Sequence, residues 1–399
     1  MRIAVFSDNF HPELSGIAES ITTLAQELAG RGHFIHFFAP RYGERDYKKT
    51  GSPLEEISLG DNIRITRFAS WHFPGPSGQS RLVIPYGFRA LAVKKFQPDI
   101  IHVHLPYGTG LEGVIAAKIL KRPLVGTNHT PTREFVVRYS PIHAEWFVRL
   151  NIAYVTWFYN RCDFVSSPSR FAFEEMSGFN PQTPRGVVSN PLKVHDFKPA
   201  TPAEKKRLKK KFGFSDFTLL YVGRLAPEKN IDQAIRAVAT LKEQIPKINL
   251  AIVGAGPARG ALEKLAHDLD VANHIKFMGF LPQMDVPEAY AAADLFVMMS
   301  SAETQSIVSM QALLSGIPVV GAKSWGLTQY ITPDVGRLVR VDGVPELARE
   351  VLDLYQHPAI RHKMGRNGRK MAENMSGAKI AARWEEIYTE VADKYKRIQ

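Results

Sequence analysis

A pattern of buried strand, loop, helix and second strand opens the chain and begins again in its second half. The first copy has an apolar strand at residues 2–8, a loop containing Gly16, a helix-period stretch at 17–29 and a strand at 33–39. The second copy starts with a strand at residues 218–222. Short apolar runs that alternate with helices predict parallel strands joined by crossover helices. We therefore predict an α/β chain with two doubly wound, Rossmann-like halves.

The segment between the two copies sets the predicted domain boundary. Pro199 and Pro202, followed by the basic run at residues 205–211, are typical of a linker and a solvated helix. We predict an N-terminal domain over residues 1–195 and a C-terminal domain over 196–377. We expect the amphipathic helix predicted at 378–399 to return to the N-terminal domain. Two such domains that meet across a cleft bind ligands at the carboxyl ends of their strands.

The net charge bears on the possible partners, and the cysteine content bears on the cellular setting. Lys and Arg number 51 against 39 acidic residues, a net charge of +12, which suits a diphosphate, a nucleic acid or anionic lipid headgroups. The single cysteine, Cys162, excludes an internal disulfide and favours a reducing, cytosolic setting. We predict no secretory signal, and no apolar run approaches the roughly 18 residues that span a bilayer. The basic run at 205–211 has no interleaved aromatic residue, which argues against a nucleic-acid partner.

Two segments of the second half carry groups suited to phosphates. Arg224 and Lys229, in a glycine-led loop between a strand and a helix, offer a planar fork of donors and a mobile point charge. The alternative interpretation is two surface cations beside a helix start. Gly254 lies in a glycine loop whose spacing differs from G-x-G-x-x-G, so we predict that it shapes a nucleotide pocket and does not bind NAD.

A third segment, residues 301–311, follows a strand and opens a helix, whose free amides suit an anion. Glu303 lies just before this helix, where its carboxylate can accept hydrogen bonds from sugar hydroxyls. Gln311 lies eight residues, or about two turns, after Glu303 and within the helix. The alternative interpretation is that Glu303 is an acid near a helix start and that Gln311 is an ordinary helix residue.

In the first half, Gly16 allows backbone to approach a phosphate or sugar, and His129 follows a strand. His129 can position a sugar hydroxyl or be a structural histidine. His102 and His104 end another strand, but no spacing here matches a metal motif, so no metal site is predicted.

In their order along nearly the whole chain, these motifs resemble glycosyltransferase family 4, a group of retaining enzymes with the GT-B fold. The matching segments are 127–129, 163–169, 189–191, 223–229, 253–256 and 290–294. The resemblance implies two Rossmann-like domains that face each other across a cleft. It also implies a hexosyltransferase that uses a nucleotide sugar, with UDP-glucose favoured as the donor.

The resemblance further implies residue roles. Arg224 and Lys229 would bind the donor diphosphate, Glu303 would hold hydroxyls of the donor sugar, and amides near Ser306 and Ile307 would meet phosphate or sugar.

His129 would lie near the reacting sugar, so Glu303 and His129 are the predicted catalytic residues. Gln311 stands where the family has a second glutamate that grips the ribose, and its amide offers one acceptor and one donor instead of a carboxylate. Retention implies same-face transfer, with Arg224, Lys229 and the helix end stabilising the diphosphate in place of a metal.

Aromatic and basic residues in the first half favour a membrane acceptor. Residues 71–73, 146–147 and 157–159 are rich in aromatics, and residues 85–96 combine Arg89, Lys94 and Lys95 with Tyr86, Phe88 and Leu91. Such a surface suits anionic membranes, and the alternative is a buried helix with a solvated cationic face. The chain is also similar to bacterial diacylglycerol glucosyltransferases. We therefore predict a lipid acceptor and a peripheral position on the inner face of the cell membrane.

Other functions stay open at this point. A soluble or polysaccharide acceptor is one, and a sugar-nucleotide epimerase is another, although no acid/base carboxylates can be assigned to it. The replacement of a family glutamate by Gln311 motivates a third, a non-catalytic nucleotide-sugar binding protein.

Overall fold

Residues 3–6 of the first unit are all apolar and residues 3–7 are buried, as is typical of a strand in the interior of a parallel sheet. The strands of this unit are β1 (Arg2–Ser7), β2 (Phe34–Pro40), β3 (Ile63–Phe68), β4 (Trp71–His72), β5 (Arg81–Leu82), β6 (Ile100–His104), β7 (Leu124–Thr127), β8 (Phe164–Ser167) and β9 (Arg185–Val187). Seven of them form a parallel sheet in the order β3-β2-β1-β6-β7-β8-β9, and β4 pairs with β5 in an antiparallel hairpin. The strand order reverses between β1 and β6, which places their loops at a topological switch point.

Helices cover this sheet. They are α1 (Gly16–Gly30), α2 (Glu44–Thr50), α3 (Ala90–Phe96), α4 (Gly108–Leu120), α5 (Thr132–Tyr139), α6 (Glu145–Tyr159), α7 (Arg170–Glu174) and the last helix of the chain, α16 (Gly377–Ile398). The last helix packs on α1, where Ile380, Trp384 and Tyr388 join Ile21 and Leu24 in one buried cluster.

The second unit repeats the architecture with six parallel strands. These are β10 (Phe217–Val222), β11 (Ile248–Val253), β12 (Ile275–Gly279), β13 (Leu295–Met298), β14 (Val319–Ala322) and β15 (Gly336–Val339). Their order, β12-β11-β10-β13-β14-β15, is that of the doubly wound dinucleotide fold. The helices are α8 (Pro202–Phe212), α9 (Ile231–Leu241), α10 (Arg259–Asp268), α11 (Asp285–Ala292), α12 (Ile307–Leu314), α13 (Trp325–Tyr330), α14 (Val344–Gln356) and α15 (Pro358–Ala372).

The structure is a computed structural model that describes residues 1–73, 79–140, 142, 144–174 and 183–398. Its units are Met1–Pro191 with Gly377–Gln399, and Leu192–Ser376. Each boundary falls at most a few residues before the predicted one. The predicted α/β class with two Rossmann-like halves is confirmed.

Candidate active site

In the second unit, the predicted donor-binding loops follow adjacent strands. Gly223 directly follows β10, and Gly254 directly follows β11. Gly254 has a φ of +126°, and a Cβ atom on it would stand 2.0 Å from the carbonyl oxygen of Gly223. Only glycine allows both this conformation and this approach. The loop predicted to shape a nucleotide pocket is therefore held against the loop that carries Arg224.

Lys229 and Glu303 contact each other across these loops. The Lys229 Nζ lies 2.6 Å from the Glu303 Oε1, and the side chains are 20% and 13% exposed. Arg224 forms an ion pair with the buried Glu228. The residue predicted for the diphosphate and the residue predicted for the sugar are therefore direct neighbours, in a group of two cations and two carboxylates. Because the pair is largely shielded from water, its attraction exceeds that of an ordinary surface ion pair.

Backbone contacts fix the loop that carries Glu303. The amide of Ser301 donates to the carbonyl of Glu228 at 3.2 Å, and the amide of Gly326 donates to the carbonyl of Glu303 at 3.0 Å. A Cβ atom on Gly326 would stand 2.0 Å from the carbonyl oxygen of Thr304. The Glu303 loop is thus attached on one side to the cation-bearing loop and on the other to the start of α13.

The N-terminus of α12 follows this loop. Ser306 is the N-cap residue, and among the described residues its side chain accepts no capping bond from the helix amides. Instead, the Ser309 hydroxyl donates to the Ser306 hydroxyl at 2.9 Å. Helix amides without a side-chain cap are suited to an anion. The predicted contact of Ser306 and Ile307 with the donor stays a prediction.

Gln311 points into the unit. Its side chain is 5% exposed, and its Oε1 lies 3.3 Å from the Tyr290 hydroxyl, which also lies 3.0 Å from the carbonyl of Val308. Burial among these groups gives Gln311 a role in the packing of α12 on α11. The predicted contact of Gln311 with the ribose stays a prediction.

In the first unit, three buried histidines lie at the ends of β6 and β7. His104 Nδ1 is 3.0 Å from His129 Nε2, and His102 bridges the hydroxyls of Thr127 and Tyr388 at 2.7 Å each. Burial lowers the pKa of His102 to about 3 and that of His129 to about 4, and it also lowers the pKa of His104. His129 is therefore a neutral imidazole at neutral pH, with Nε2 engaged by His104.

Two further predictions concern this unit. Gly16 is the first residue of α1, where the Ser15 hydroxyl accepts a hydrogen bond from the Ala18 amide at 3.2 Å. Its contact with the donor stays a prediction. Within the described parts of the chain, no group of three or more His, Cys, Asp or Glu side chains is arranged to hold a metal ion.

Asp8 is a polar residue of this edge that the sequence motifs did not single out. It follows β1, is 8% exposed, and its Oδ1 accepts a hydrogen bond from the Thr109 amide at the start of α4 at 2.8 Å. Burial raises the pKa of Asp8 to about 6, although backbone amides oppose this rise. The sequence did contain one signal for Asp8: it is a carboxylate directly after a strand in the interior of a parallel sheet, where ligand-binding loops lie.

The first unit also exposes large apolar side chains. Those on the segment before and within α3, which we call the apolar loop, are Leu82, Ile84, Tyr86, Phe88 and Leu91. Phe88 is 77% and Leu91 63% exposed. Trp146, Leu150 and Trp157 are exposed on α6. Exposed apolar groups in such number are typical of an interaction surface.

The surface of aromatic and basic side chains predicted for residues 85–96 is only partly correct. Lys94 and Lys95 are exposed, and Val93 and Phe96 are buried. Arg89 is not part of that surface, because it is buried and its Nη1 lies 3.2 Å from the Glu112 Oε1. A buried arginine needs a charged partner, and here that partner is Glu112 of α4. None of the helices in the described ranges combines the length and the apolar character required to cross a bilayer.

The two units match two family models. The model described as Glycosyltransferase Family 4 matches residues 14–195, and the model described as Glycosyl transferases group 1 matches residues 203–371. Together these ranges include most of the chain.

Three relatives illustrate the similarity. An alpha-monoglucosyldiacylglycerol synthase of Streptococcus pneumoniae is 29% identical over 332 residues, covering 80% of this chain and 70% of the relative. An enzyme of the same name from Acholeplasma laidlawii is 23% identical over 410 residues, covering 99% and 98%. A GDP-mannose-dependent alpha-mannosyltransferase of Mycobacterium tuberculosis is 28% identical over 405 residues, covering 96% and 97%.

Among solved structures, HepE of Anabaena, in complex with UDP, superposes with a TM-score of 0.78 at 21% identity, covering 98% of this chain and 100% of that one. The predicted GT-B fold is thereby confirmed, as is the prediction of a hexosyltransferase. The chain belongs to the family 4 glycosyltransferases and is a hexosyltransferase that uses a nucleotide sugar.

Proposed function

We propose that this enzyme transfers glucose from UDP-glucose to a hydroxyl of a membrane lipid such as diacylglycerol, with retention of configuration and without a metal. The observation that carries the lipid acceptor is the apolar loop, with Phe88 77% exposed beside the exposed Lys94 and Lys95. Apolar side chains beside cations suit the surface of an anionic membrane. The names of two relatives, both alpha-monoglucosyldiacylglycerol synthases, support the same acceptor.

The proposed chemistry starts from the group around Glu303. Arg224, Lys229 and the amides at the start of α12 stabilise the charge that develops on the departing diphosphate. A carboxylate accepts at two oxygens, so Glu303 can hold Lys229 through Oε1 and a sugar hydroxyl through Oε2. As the bond between C1 and the phosphate oxygen breaks, C1 becomes oxocarbenium-like. The acceptor oxygen bonds to C1 on the same face, and its proton passes to the departing phosphate oxygen.

His129 supplies no positive charge in this scheme. Because its imidazole is buried and neutral, it acts as a hydrogen-bonding group that orients a sugar hydroxyl. The engagement of Nε2 by His104 leaves Nδ1 for that contact.

A donor screen with and without vesicles tests the proposal. The purified protein is incubated with UDP-glucose, UDP-galactose, UDP-N-acetylglucosamine or GDP-mannose, in the presence of EDTA, and released nucleotide is measured. We expect release with UDP-glucose that depends on anionic vesicles containing diacylglycerol. Release with GDP-mannose, the donor in the name of the mycobacterial relative, would overturn the donor assignment. Release that is independent of vesicles and needs a soluble sugar would overturn the lipid acceptor.

A further inference from the structure

We propose that His104 is a positioning residue for the sugar transfer. It holds His129 as the tautomer that carries its proton on Nδ1, so that His129 donates a hydrogen bond to a hydroxyl oxygen of the donor sugar. The inference rests on the proposed transfer from UDP-glucose and specifies how His129 takes part in it. In this tautomer His129 orients the sugar as a donor and does not act as a base toward it.

The first observation is the hydrogen bond between two buried histidines. The His104 Nδ1 lies 3.0 Å from the His129 Nε2, and the two rings are stacked with their centroids 5.3 Å apart. Burial lowers the pKa of both imidazoles, so each ring carries one proton at neutral pH. One nitrogen of this contact must donate and the other must accept. The tautomer of His104 therefore sets the tautomer of His129.

The surroundings of the second His104 nitrogen decide which ring donates. The His104 Nε2 makes no hydrogen bond to the residues that the structure describes. His104 also lines a small cavity whose other walls are mainly aliphatic side chains of β1, β2 and α1. A buried N–H group without a partner is rarer in proteins than a buried acceptor without one. The proton of His104 is therefore assigned to Nδ1, which donates to the His129 Nε2 and leaves the proton of His129 on its own Nδ1.

The His129 Nδ1 is open to a ligand. It makes no hydrogen bond within the described parts of the chain, yet it is not among the six fully buried side-chain atoms that lack a partner there. Solvent therefore reaches this nitrogen, although His129 is only 6% exposed. The residue lies two positions after β7, at the edge of the sheet where parallel sheets bind ligands. One accessible N–H at this edge suits a single acceptor atom of a ligand.

The loop that carries His129 is fixed to the neighbouring strand. The Asn128 amide donates to the carbonyl of Ser166 at 2.8 Å, and the Ser167 hydroxyl donates to the carbonyl of Asn128 at 3.1 Å. Because the backbone is held, the main freedom left to His129 is rotation of its side chain, which the contact with His104 restricts. A hydrogen-bond donor that is already oriented needs no reorganisation during the reaction.

The last helix of the chain supports His104 through His102. The His102 ring centroid lies 4.0 Å from that of His104 and 4.6 Å from that of Trp384 on α16. The Tyr388 hydroxyl, on the same helix, lies 2.7 Å from the His102 Nδ1. A column of four rings thus leads from α16 to the proposed donor group: Trp384, His102, His104 and His129. Close packing of this kind restricts side chains to one arrangement.

NMR measures the tautomer of His129 directly. Protein labelled with ¹⁵N-histidine is examined by long-range ¹H–¹⁵N correlation, which shows which ring nitrogen carries the proton. The signals of His129 are identified by their loss in His129→Ala. We expect wild-type His129 to be protonated on Nδ1 and unprotonated on Nε2. A proton on Nε2 would overturn the proposal, whatever the substrates of the enzyme are.

Transfer kinetics measure the positioning role. Wild type, His104→Leu, His104→Asn and a control, His36→Asn, are assayed with UDP-glucose and diacylglycerol in anionic vesicles. His36 is a half-buried histidine of β2 whose Nε2 lies 2.8 Å from the Thr66 hydroxyl. We expect kcat/KM for UDP-glucose to fall about tenfold in His104→Leu, which removes the hydrogen bond to His129. In His104→Asn the fall should be at most about threefold, because the amide can donate in place of Nδ1. The control should equal wild type.

A double variant shows whether His104 acts through His129. His104→Leu combined with His129→Ala should lose no more activity than His129→Ala alone, because the ring that His104 orients is already absent. Additive losses, or equal losses in His104→Leu and His104→Asn, would contradict the positioning role. Wild-type activity in His104→Leu would overturn it while the proposed function stands.

The NMR measurement keeps the two proposals apart. If wild type transfers no glucose from UDP-glucose, the proposed function fails, and the spectrum still decides the tautomer. Should His104→Leu fail to fold by circular dichroism, the spectrum again decides, because it needs no substitution at His104.

Discussion

At the scale of single residues, the ion pair between Lys229 and Glu303 is the central feature of the donor site. The motifs identified both residues, but their contact could not be predicted from the sequence, because 74 positions separate them. The contact depends on β10 and β13 being neighbours in the sheet, which only the fold determines. Similarly, Arg89 was predicted on the aromatic and basic surface, since nothing in the local sequence indicates that it pairs with Glu112.

Replacing Glu303 separates sugar binding from nucleotide binding. In Glu303→Gln, we expect kcat to fall by about 10²–10³, as for the loss of one group aimed at developing charge. UDP affinity should stay the same or rise, because Lys229 loses its competing carboxylate and becomes available to the diphosphate. Turnover measures the first effect and titration calorimetry with UDP the second.

Glu263→Gln is the matched control, since Glu263 is an exposed acid of the same unit that pairs with Arg259. Turnover of Glu303→Gln equal to that of the control, or a parallel loss of UDP affinity, would contradict the assigned role.

The pKa of Asp8 predicts a pH-dependent stability difference. Its folded pKa of about 6 exceeds the usual aspartate value of 3.8, so folding favours the protonated form. The resulting stability is present at low pH and is lost as the pH rises through 6. Relative to Asp8→Asn, the unfolding free energy of wild type should fall by about 2 kcal/mol from about pH 4.5 to about pH 8. Tyr107 and Tyr154, with pKa values raised to about 12, stay neutral in this range.

Urea unfolding followed by tryptophan fluorescence measures this difference, because four of the five tryptophans lie in the first unit. They are Trp71, Trp146, Trp157 and Trp384. A free-energy difference between the two proteins that is constant with pH would contradict the raised pKa.

At the scale of elements, the apolar loop is attached to α4, because the Tyr86 amide and Arg89 both bind Glu112. The central strands could be predicted because strands buried on both faces are continuous apolar runs. The β4–β5 hairpin was not predicted, because strands of two residues are too short to show an alternating hydrophobic pattern. Strand β15 was not predicted either, because the half-exposed Arg337 interrupts its apolar run. The exposure of Phe88 likewise depends on how Arg89 and Glu112 attach the loop.

Polar substitutions in the apolar loop should weaken membrane binding. We expect Phe88→Ser with Leu91→Ser to reduce co-sedimentation with anionic vesicles at least about tenfold, since two large exposed side chains contribute about 1.5–3 kcal/mol each when buried. The affinity for UDP, measured by titration calorimetry, should be unaffected. Met284→Ser is the control, because Met284 is 81% exposed in the second unit. Equal loss in the control, or no loss in the double variant, would contradict a membrane role for the loop.

At the scale of the whole molecule, the repeated strand and helix pattern was enough to predict two α/β units, because each unit builds its own parallel sheet. The net charge of +12 suits polyanionic partners but does not choose among them. The family comparison identified a glycosyltransferase, and the first unit's exposed apolar groups favour a lipid acceptor.

The stereochemistry of the lipid product tests the central claim most directly. UDP-glucose is incubated with the enzyme and diacylglycerol vesicles, the lipid fraction is isolated, and the anomeric proton is examined by NMR. The account predicts one glucosyl-diacylglycerol with an α linkage, since the α configuration of the donor is retained. A β-linked product, or glucose found only in water-soluble material, would contradict it.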